Sequence, residues 1–363
     1  MTSGSRPPSA AYVVPRGARG RGLFTAEDHE RVRTSRGSTP TPLVSLPGLA
    51  QALGVGGLHV KDESRRDGLN AFKVVGVRYA LSRLALAGRL QTDTTLVAAT
   101  AGNHGRAVAA LARQHSLASR IHVPFDTPAE RVEMLRGEGA DVVRSPGDYE
   151  AAVREAAAEQ SRSGVIVISD VSWDGNEEIP AWIMAGYGQI LAEVLDDWPE
   201  GPGPDIVIVQ GGVGGLACGI GSWMAHHFGD SRPAFVVAEP LGAACLLASA
   251  EAGHETVLSR TEPTTMICLR CRAPSPLAWR GLRDLANVYV GVDDGWVADA
   301  IQQMARPIEG DPALSAGASG ACGLAALLAL AQDPALTTAR TALKVSRESQ
   351  VLLFVTEASE SSD

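Results

Sequence analysis

The sequence predicts an α/β protein built on parallel β-sheets with helices on both faces. Nine short apolar runs with strand character alternate with amphipathic stretches of helical period. Two glycine-rich turns each follow such a strand and lead into a helix, which is typical of the ligand-binding edge of these sheets. At 363 residues, the chain is long enough for two domains or for one large α/β unit.

The predicted elements follow one another in the order that such a fold requires. Strands are expected at residues 58–61, 96–99, 121–124, 142–144, 165–169, 206–210, 235–239, 288–292 and 351–356. The clearest helices are expected at residues 24–33, 74–90, 104–115, 149–160 and 182–195. Thr127, Pro128 and Glu130 further indicate a capping box at the start of a helix.

The charge and the N-terminal residues exclude several classes of protein. The formal net charge of −9 gives no reason to expect nucleic-acid binding. Residues 1–22 are rich in Arg, Ser, Pro and Gly but lack the apolar core of a secretory signal, so we expect a mobile N-terminal arm. Because no apolar run approaches membrane-spanning length, we expect a cytoplasmic protein without membrane contact.

An odd number of cysteines in a chain with no secretory signal argues against a disulfide framework. The chain has five, of which Cys268 and Cys271 form a C-x-x-C pair. No second pair or nearby histidine supplies the other ligands that zinc would need, so we expect no metal site. A structural or loop role is favoured for the pair, and a redox-sensitive pair is the alternative.

Lysine is rare in this chain, and one lysine is placed where its amine can do chemistry. Of the 32 lysine and arginine residues, only Lys61, Lys73 and Lys344 are lysines. Lysine can lose its proton and attack a carbonyl, whereas arginine stays protonated. Lys73 falls in the first turn of a predicted helix, whose dipole favours the neutral amine. The alternative is an exposed lysine without a chemical role.

The first glycine-rich turn, at residues 99–105, carries a directed side-chain donor. It reads Ala-Thr-Ala-Gly-Asn-His-Gly and follows the strand predicted at 96–99. Small residues allow backbone amides to approach an anion, and Asn103 adds a side-chain amide. A simple tight turn is the alternative interpretation.

The second glycine-rich turn, at residues 210–216, has the composition of a phosphate cradle. It reads Gln-Gly-Gly-Val-Gly-Gly-Leu between a predicted strand and a predicted helix. It is not a Walker A loop, and it lacks the context of a dinucleotide fingerprint. With Lys73 and the Asn103 turn, it suggests a phosphorylated aldehyde cofactor, pyridoxal 5'-phosphate.

Ordered blocks along most of the chain resemble the fold-type-II, tryptophan-synthase-β-like pyridoxal phosphate enzymes, and among them the diaminopropionate ammonia-lyases. The blocks are residues 41–43, 60–64, 68–73, 102–106, 170–175, 178–187, 212–214, 239–240, 274–277 and 356–357. The resemblance implies two parallel-sheet α/β domains with the cofactor between them. We expect a large domain at 23–95 plus 172–363, a small mobile domain at 96–171, and a homodimer.

The resemblance also implies roles for individual residues. Lys73 holds the cofactor as a Schiff base and then removes the α-proton of the substrate. Asn103 contacts the 3-hydroxyl of the cofactor, and Thr356 is the candidate partner of the ring nitrogen. The phosphate is held by Gly212, Val213, Gly214, Gly215 and Leu216. The substrate carboxylate is received by Thr100, Gly102, Asn103 and His104. Asp170 holds the substrate or its leaving group, unless it only caps a turn.

The chain departs from the family at several acidic positions. Ala101 replaces an aspartate credited with serving as the base for the D-enantiomer, so proton removal on that face is lost or moved. Acidic residues are also replaced at Ala273, Ala318 and Ser359, whereas Arg270 and Arg272 stand where the family has small residues. These changes suggest a neutral or anionic β-substituent. Drift outside the pocket is the alternative.

The leading functional hypothesis is a lyase that acts on a small L-amino acid by α-proton abstraction and β-elimination, giving a 2-oxo acid and ammonia. The first alternative is a β-replacement synthase of a biosynthetic pathway, because elimination and replacement share every residue named above. The second alternative is a non-catalytic homologue that binds cofactor or amino acid.

Overall fold

The computed structural model describes residues 6–15, 20–35, 37–199 and 201–359. Within these residues two separate sheets form. The strands are β1 (Ala10–Val13), β2 (Leu43–Ser45), β3 (Gly57–Asp62), β4 (Thr95–Ala99), β5 (Ala118–Val123), β6 (Asp141–Arg144), β7 (Val165–Val167), β8 (Ile206–Gln210), β9 (Ala234–Pro240), β10 (Val288–Val292) and β11 (Gln350–Val355).

The α-helices pack on the faces of these sheets. They are α1 (Ala26–Thr34), α2 (Pro47–Leu53), α3 (Lys73–Leu86), α4 (Asn103–Gln114), α5 (Ala129–Gly137), α6 (Tyr149–Ala158), α7 (Glu178–Gly186), α8 (Gly188–Asp197), α9 (Gly215–Phe228), α10 (Cys245–Ala252), α11 (Pro276–Leu282), α12 (Asp294–Ala305), α13 (Cys322–Gln332) and α14 (Thr337–Ala342). Short 3-10 turns lie between several of them.

The larger sheet has the strand order β1-β10-β9-β8-β11-β3-β2, and the smaller has the order β6-β5-β4-β7. All pairings inside the smaller sheet are parallel. In the larger sheet the interior pairings are parallel, and the two edge strands β1 and β2 are antiparallel. The α/β class with parallel sheets is therefore confirmed.

All nine predicted strands are present, and two further strands occur at the edges. Strand β1 pairs with β10, so residues 10–13 of the segment predicted as a mobile arm are an ordered edge strand. The other parts of that prediction at residues 1–5 and 16–19 lie outside the described residues. Strand β2 falls within a stretch for which only extended backbone is expected because of its prolines.

Two helix predictions differ from the structure. The helix predicted at 182–195 is two helices, α7 and α8, which meet at Tyr187. The capping box predicted at 127–130 is wrong, because Pro128 itself is the N-cap of α5 and no side chain caps that helix. Thr127 therefore stands one residue too early to reach the first-turn amides.

The core places the carboxyl ends of the central strands at a cleft. Every residue of β8 is buried, and α13 packs its apolar side chains against the same sheet. The turn after β8 opens α9, and the turn after β4 opens α4. Both glycine-rich turns therefore lie where strands of the two sheets end, which is the usual ligand edge of parallel sheets.

Four almost fully buried charged side chains form a cluster, and three of them belong to the chain just before α3. Lys61 Nζ is 2.9 Å from Glu193 Oε2, and Arg66 Nη2 is 2.7 Å from the same oxygen. Arg66 Nη2 is also 2.6 Å from Glu63 Oε1. Lys61 is thus an ion-paired residue of β3, and its partner Glu193 comes from α8. Two cations and two carboxylates balance in this cluster.

Among the described residues, no single helix has both the length and the apolar composition needed to cross a membrane. The helical segments Cys322–Gln332 and Pro334–Ala342 reach those limits only when they are joined across an 89° bend.

Replacing Glu193 with alanine should destabilise the fold by about 3 to 5 kcal/mol, because two buried cations would lose a shared counter-ion. Urea unfolding followed by circular dichroism measures the change. The matched control is Glu30→Ala, which removes an exposed partner of Arg33 and should leave stability almost unchanged. Equal losses in the free energy of unfolding of the two variants would contradict the proposed contribution of the buried cluster to stability.

Candidate active site

Lys73 is the first residue of α3, and its amine lies in the cleft. Its Nζ atom donates a hydrogen bond to Asp170 Oδ2 at 2.6 Å. Both side chains are about one fifth exposed, at 23% and 19%. Asp170 follows β7 in the smaller sheet, so this contact joins residues that lie 97 positions apart in sequence.

The protonation of this pair differs from the expectation based on the helix dipole. Burial alone would lower the pKa of Lys73, but the Asp170 carboxylate outweighs it and raises that pKa above its ordinary value. Burial would likewise raise the pKa of Asp170, but His104 and Lys73 hold it well below its usual range. The amine is therefore charged here, because an ion pair at contact distance outweighs the dipole.

His104 extends the pair. Its Nε2 atom lies 2.9 Å from the carbonyl oxygen of Ile168, which fixes the imidazole ring. Its Nδ1 atom is 3.9 Å from Asp170 Oδ2 and has no hydrogen-bond partner among the described residues. A buried imidazole nitrogen that faces a carboxylate is available to a bound ligand.

The turn after β4 places Asn103 at the start of α4. The backbone amide of Gly102 donates to Thr100 Oγ1 at 3.0 Å, which closes the turn. Asn103 Nδ2 donates to Glu357 Oε2 at 2.7 Å. Ala101 lies between these residues, partly buried against the apolar core. The smaller sheet thereby contributes Thr100, Ala101, Gly102, Asn103 and His104 to the cleft.

The turn after β8 forms an open anion cradle. Gly212 and Gly214 have φ values of 60° and 94°, which favour glycine. Helix α9 begins at Gly215 without a side-chain cap. In the described chain, the backbone amides of Gly212, Val213, Gly215 and Leu216 have no acceptor. Free amides at the start of a 14-residue helix fit a phosphate group.

The surroundings of two glycines show that this cradle lies next to the loop of Asp170, the partner of Lys73. A Cβ atom at Gly215 would lie 3.9 Å from the carbonyl oxygen of Asp170. A Cβ atom at Gly212 would lie 3.9 Å from Cys271 Sγ and 3.8 Å from the carbonyl oxygen of Cys268. The structure therefore places the cradle, the Asp170 loop and the C-x-x-C segment side by side.

Cys268 and Cys271 are free thiols in the structure. Cys268 Sγ lies 3.9 Å from Asn103 Nδ2, so both cysteines border the site rather than a distant loop. Desolvation of the sulfur raises the pKa of each thiol to about 12, and the Glu357 carboxylate adds to the effect at Cys268, so both thiols stay protonated near neutral pH. The redox-sensitive pair stays an untested alternative.

Sequence reasoning placed Thr356 at the site and missed two neighbours. Thr356 is buried, and its carbonyl oxygen accepts from the amide of Phe72, the residue before Lys73. Glu357 was missed as the partner of Asn103. Tyr187 was also missed, although its ring lies 4.9 Å from the Phe72 ring. Neither residue follows a pattern that sequence spacing alone would reveal.

The cradle suits a phosphate group, and the amine suits an aldehyde. Pyridoxal phosphate combines these two groups, and the two parallel-sheet units with the cleft between them define the fold-type-II class of enzymes that use it. The sequence profile of the family described as "Pyridoxal-phosphate dependent enzyme" matches residues 34–346, and the chain belongs to that family.

Two similar relatives narrow this class to the ammonia-lyases. Diaminopropionate ammonia-lyase of Escherichia coli strain K12 is 32% identical over 337 residues, which cover 88% of this chain and 85% of the relative. The enzyme of the same name from Salmonella typhimurium is 33% identical over 348 residues, covering 89% and 86%.

A solved structure of the Escherichia coli enzyme, in complex with an aminoacrylate-PLP azomethine reaction intermediate, has a TM-score of 0.88 to this chain. Its sequence identity is 30%, and the match covers 97% of this chain and 94% of that one. The likeness therefore extends over nearly the whole chain.

Substitution of Asp170 with asparagine should lower the pKa of Lys73, because burial would then act without an opposing carboxylate. We expect the pH at which pyridoxal phosphate capture by the cofactor-free protein reaches half its maximal rate to fall by about 1 to 3 pH units. Visible absorbance follows the capture. Asp174→Asn, at an exposed position four residues along, should not shift it. An unshifted Asp170→Asn profile would exclude this role.

Proposed function

We propose that the chain is a pyridoxal phosphate-dependent lyase that removes the α-proton of a small L-amino acid and eliminates its β-substituent. Diaminopropionate is the proposed substrate type, and pyruvate and ammonia are the products. The observation that carries the proposal is the Lys73–Asp170 pair, which lies in the cleft beside the glycine cradle. The ammonia-lyase relatives, which match nearly nine tenths of the chain, support it.

The residues divide the work as follows. Lys73 holds the cofactor through its amine and, once the substrate has displaced it, takes the α-proton at Nζ. The bound cofactor supplies an electron sink for the α-carbon. Asn103 and Thr356 orient the cofactor ring. The phosphate is held by the turn from Gly212 to Leu216, in which the amides of Gly212, Val213, Gly215 and Leu216 are free, whereas the amide of Gly214 donates to the carbonyl oxygen of Gly211 and closes the turn.

The substrate carboxylate is proposed to lie against the turn after β4. Thr100, Gly102, Asn103 and His104 line this turn, and the start of α4 supplies backbone amides that suit an anion. Asp170 is released from Lys73 when the amine bonds to the cofactor. Its carboxylate is then free to hold the cationic β-amine of the substrate.

The charges in the cleft support a cationic β-substituent. Asp170 and Glu357 both present carboxylates there. Arg270 and Arg272 are exposed, and Arg272 Nη1 is 3.7 Å from Glu150 Oε1. Arg272 also donates to the carbonyl oxygen of Leu258. Its charge is partly neutralised outside the site, which weakens the argument for an anionic substituent.

The alternatives are not favoured by the relatives. The Escherichia coli and Salmonella typhimurium relatives are both named ammonia-lyases, and the solved relative holds an aminoacrylate-PLP azomethine reaction intermediate. A β-replacement synthase would require a second substrate, and nothing in the described cleft singles out a site for one. A non-catalytic homologue would not need to keep Lys73, the cradle and Asn103 together.

We further propose a homodimer that works in the cytoplasm, with a small mobile domain at 96–171 and a large domain at 23–95 plus 172–363. The smaller sheet spans residues 95–167, which supports this division. Size-exclusion chromatography with light scattering tests the dimer.

The first test replaces Lys73 with alanine. Wild-type protein supplied with pyridoxal phosphate should release pyruvate and ammonia from L-diaminopropionate, and K73A should lose this activity by at least about 1,000-fold because both the anchor and the base are gone. Pyruvate is measured with lactate dehydrogenase. Lys344→Ala, at an exposed position, is the matched control and should keep full activity.

Two results would contradict the proposal. One is equal pyruvate release by wild type and K73A. The other is cofactor binding by wild type without turnover of L-diaminopropionate, while L-serine or O-phospho-L-serine is consumed. The second result would favour the neutral or anionic substituent suggested by the sequence departures.

A second test concerns the stereochemistry. The Ala101 methyl group cannot accept a proton, so wild type should consume L-diaminopropionate and leave the D-isomer untouched. Ala101→Asp should introduce D-isomer turnover, and Ala101→Asn should not, since its amide is no base. Pyruvate release from each isomer measures both. D-isomer turnover by wild type would show that a group other than residue 101 removes the α-proton of the D-isomer.

A further inference from the structure

Tyr187 occupies the single-residue break between α7 and α8, and its ring is fixed beside the Lys73 segment. The residue is 1% exposed. A Cβ atom at Gly76 of α3 would lie 2.6 Å from its Cε1 atom, and one at Gly215 would lie 3.8 Å from its Cε2 atom. The ring therefore sits between the helix that begins at Lys73 and the helix that begins at the cradle.

The hydroxyl group of Tyr187 is buried and has no hydrogen-bond partner in the described part of the chain. Such a group is costly in a folded protein, so a buried orphan hydroxyl indicates a partner that a small side-chain movement brings within reach, or a bound water. Burial raises the pKa of Tyr187 above its ordinary value, although the nearby Lys73 charge opposes this. The hydroxyl therefore stays protonated while lying close to the amine.

Lys73 has donors to spare. Its ammonium group carries three N–H bonds, and Asp170 accepts the one hydrogen bond from it found among the described residues. Both groups adjoin the ring of Phe72, because Lys73 Nζ lies over that ring at 5.1 Å from its centroid and the Tyr187 ring centroid is 4.9 Å from it. The Lys73 charge also acts on the Tyr187 hydroxyl, so a donor with unused N–H bonds and an acceptor without a partner lie near each other. A small movement of the Lys73 side chain would join them.

We propose that Tyr187 is a positioning residue for Lys73, whose hydroxyl oxygen accepts a hydrogen bond from Nζ whenever the amine carries a proton, both in the cofactor-free protein and after the α-proton has been taken. The inference rests on the proposed function, in which Lys73 takes the α-proton. After that transfer the ammonium needs acceptors that hold it near the substrate carbon. Asp170 is by then proposed to hold the β-amine of the substrate, so Tyr187, at the break between α7 and α8, supplies an acceptor that stays with Lys73.

The competing explanation is structural. A buried water could satisfy the hydroxyl in every state of the protein, in which case Tyr187 would contribute to stability and not to the chemistry. The two explanations predict different responses to removal of the single oxygen atom by Tyr187→Phe, because the ring and its packing are kept.

The chain offers a matched control in Tyr289. It is also fully buried, but its hydroxyl already donates to the carbonyl oxygen of Leu282 at 3.3 Å, away from the cleft. Tyr289→Phe should lower Tm by about 1 to 3 °C and leave kcat unchanged. Tyr187→Phe should instead lower kcat about tenfold at similar KM, and its change in Tm should be no larger than that of Tyr289→Phe.

The deciding measurement is the pH dependence of pyridoxal phosphate capture by the cofactor-free protein, followed by visible absorbance. Loss of an acceptor for the ammonium lowers the pKa of Lys73. The pH at which Tyr187→Phe captures the cofactor at half its maximal rate should therefore fall by about one pH unit. Tyr289→Phe should match wild type. An unshifted Tyr187→Phe profile with wild-type kcat would overturn the proposal, whatever its Tm.

This design separates the two proposals. Wild-type protein that captures the cofactor but releases no pyruvate from any amino acid tested would end the proposed function. The capture profiles of the two tyrosine variants would still decide whether Tyr187 acts on Lys73. Conversely, an active enzyme with identical profiles for wild type and Tyr187→Phe would end this inference alone.

Discussion

The buried cluster of Lys61, Glu63, Arg66 and Glu193 is the constraint on which the site depends. Charges removed from water must be matched, so no member of the cluster can be lost or moved alone. Because Arg66 is bound to carboxylates from its own loop and from α8, the segment that leads to Lys73 has a fixed beginning. Its end is fixed by backbone bonds, since the amide of Phe72 donates to Thr356. Lys73 thus follows a loop that is fixed at both of its ends.

The cleft combines this rigid support with unsatisfied polar groups. His104 Nδ1, the Tyr187 hydroxyl and the amides of the Gly212 turn lack partners in the described structure, whereas the surrounding backbone is well paired. Unpaired polar groups in a cleft are available to a bound ligand, although buried atoms without a partner also occur elsewhere in the described residues, for example at His29 and Trp296. The same logic explains the Lys73–Asp170 pair, in which two charged groups neutralise each other across the boundary between the sheets.

Sequence patterns predicted the parallel sheets well because buried parallel strands are continuous apolar runs. Strands β1 and β2 escaped prediction, since short edge strands owe their structure to partners far along the chain. Lys73, Asn103 and the glycine turn could be named because their residue types are unusual at those positions. Tyr187 and Glu357 could not, because only folding brings them to Phe72 and Asn103. The protonation of Lys73 was missed for the same reason, as Asp170 lies 97 residues away.

The scarcity of lysine gives the protein an unusual surface for covalent chemistry. Lys61 is fully buried in its ion cluster, so the lysine side chains open to reagents are Lys344 on the surface and Lys73 in the cleft. A crosslinker or fluorophore directed at lysine side chains would therefore label the protein at very few positions. Labelling with and without a ligand in the cleft then becomes a footprint of occupancy that can be read from two peptides by mass spectrometry.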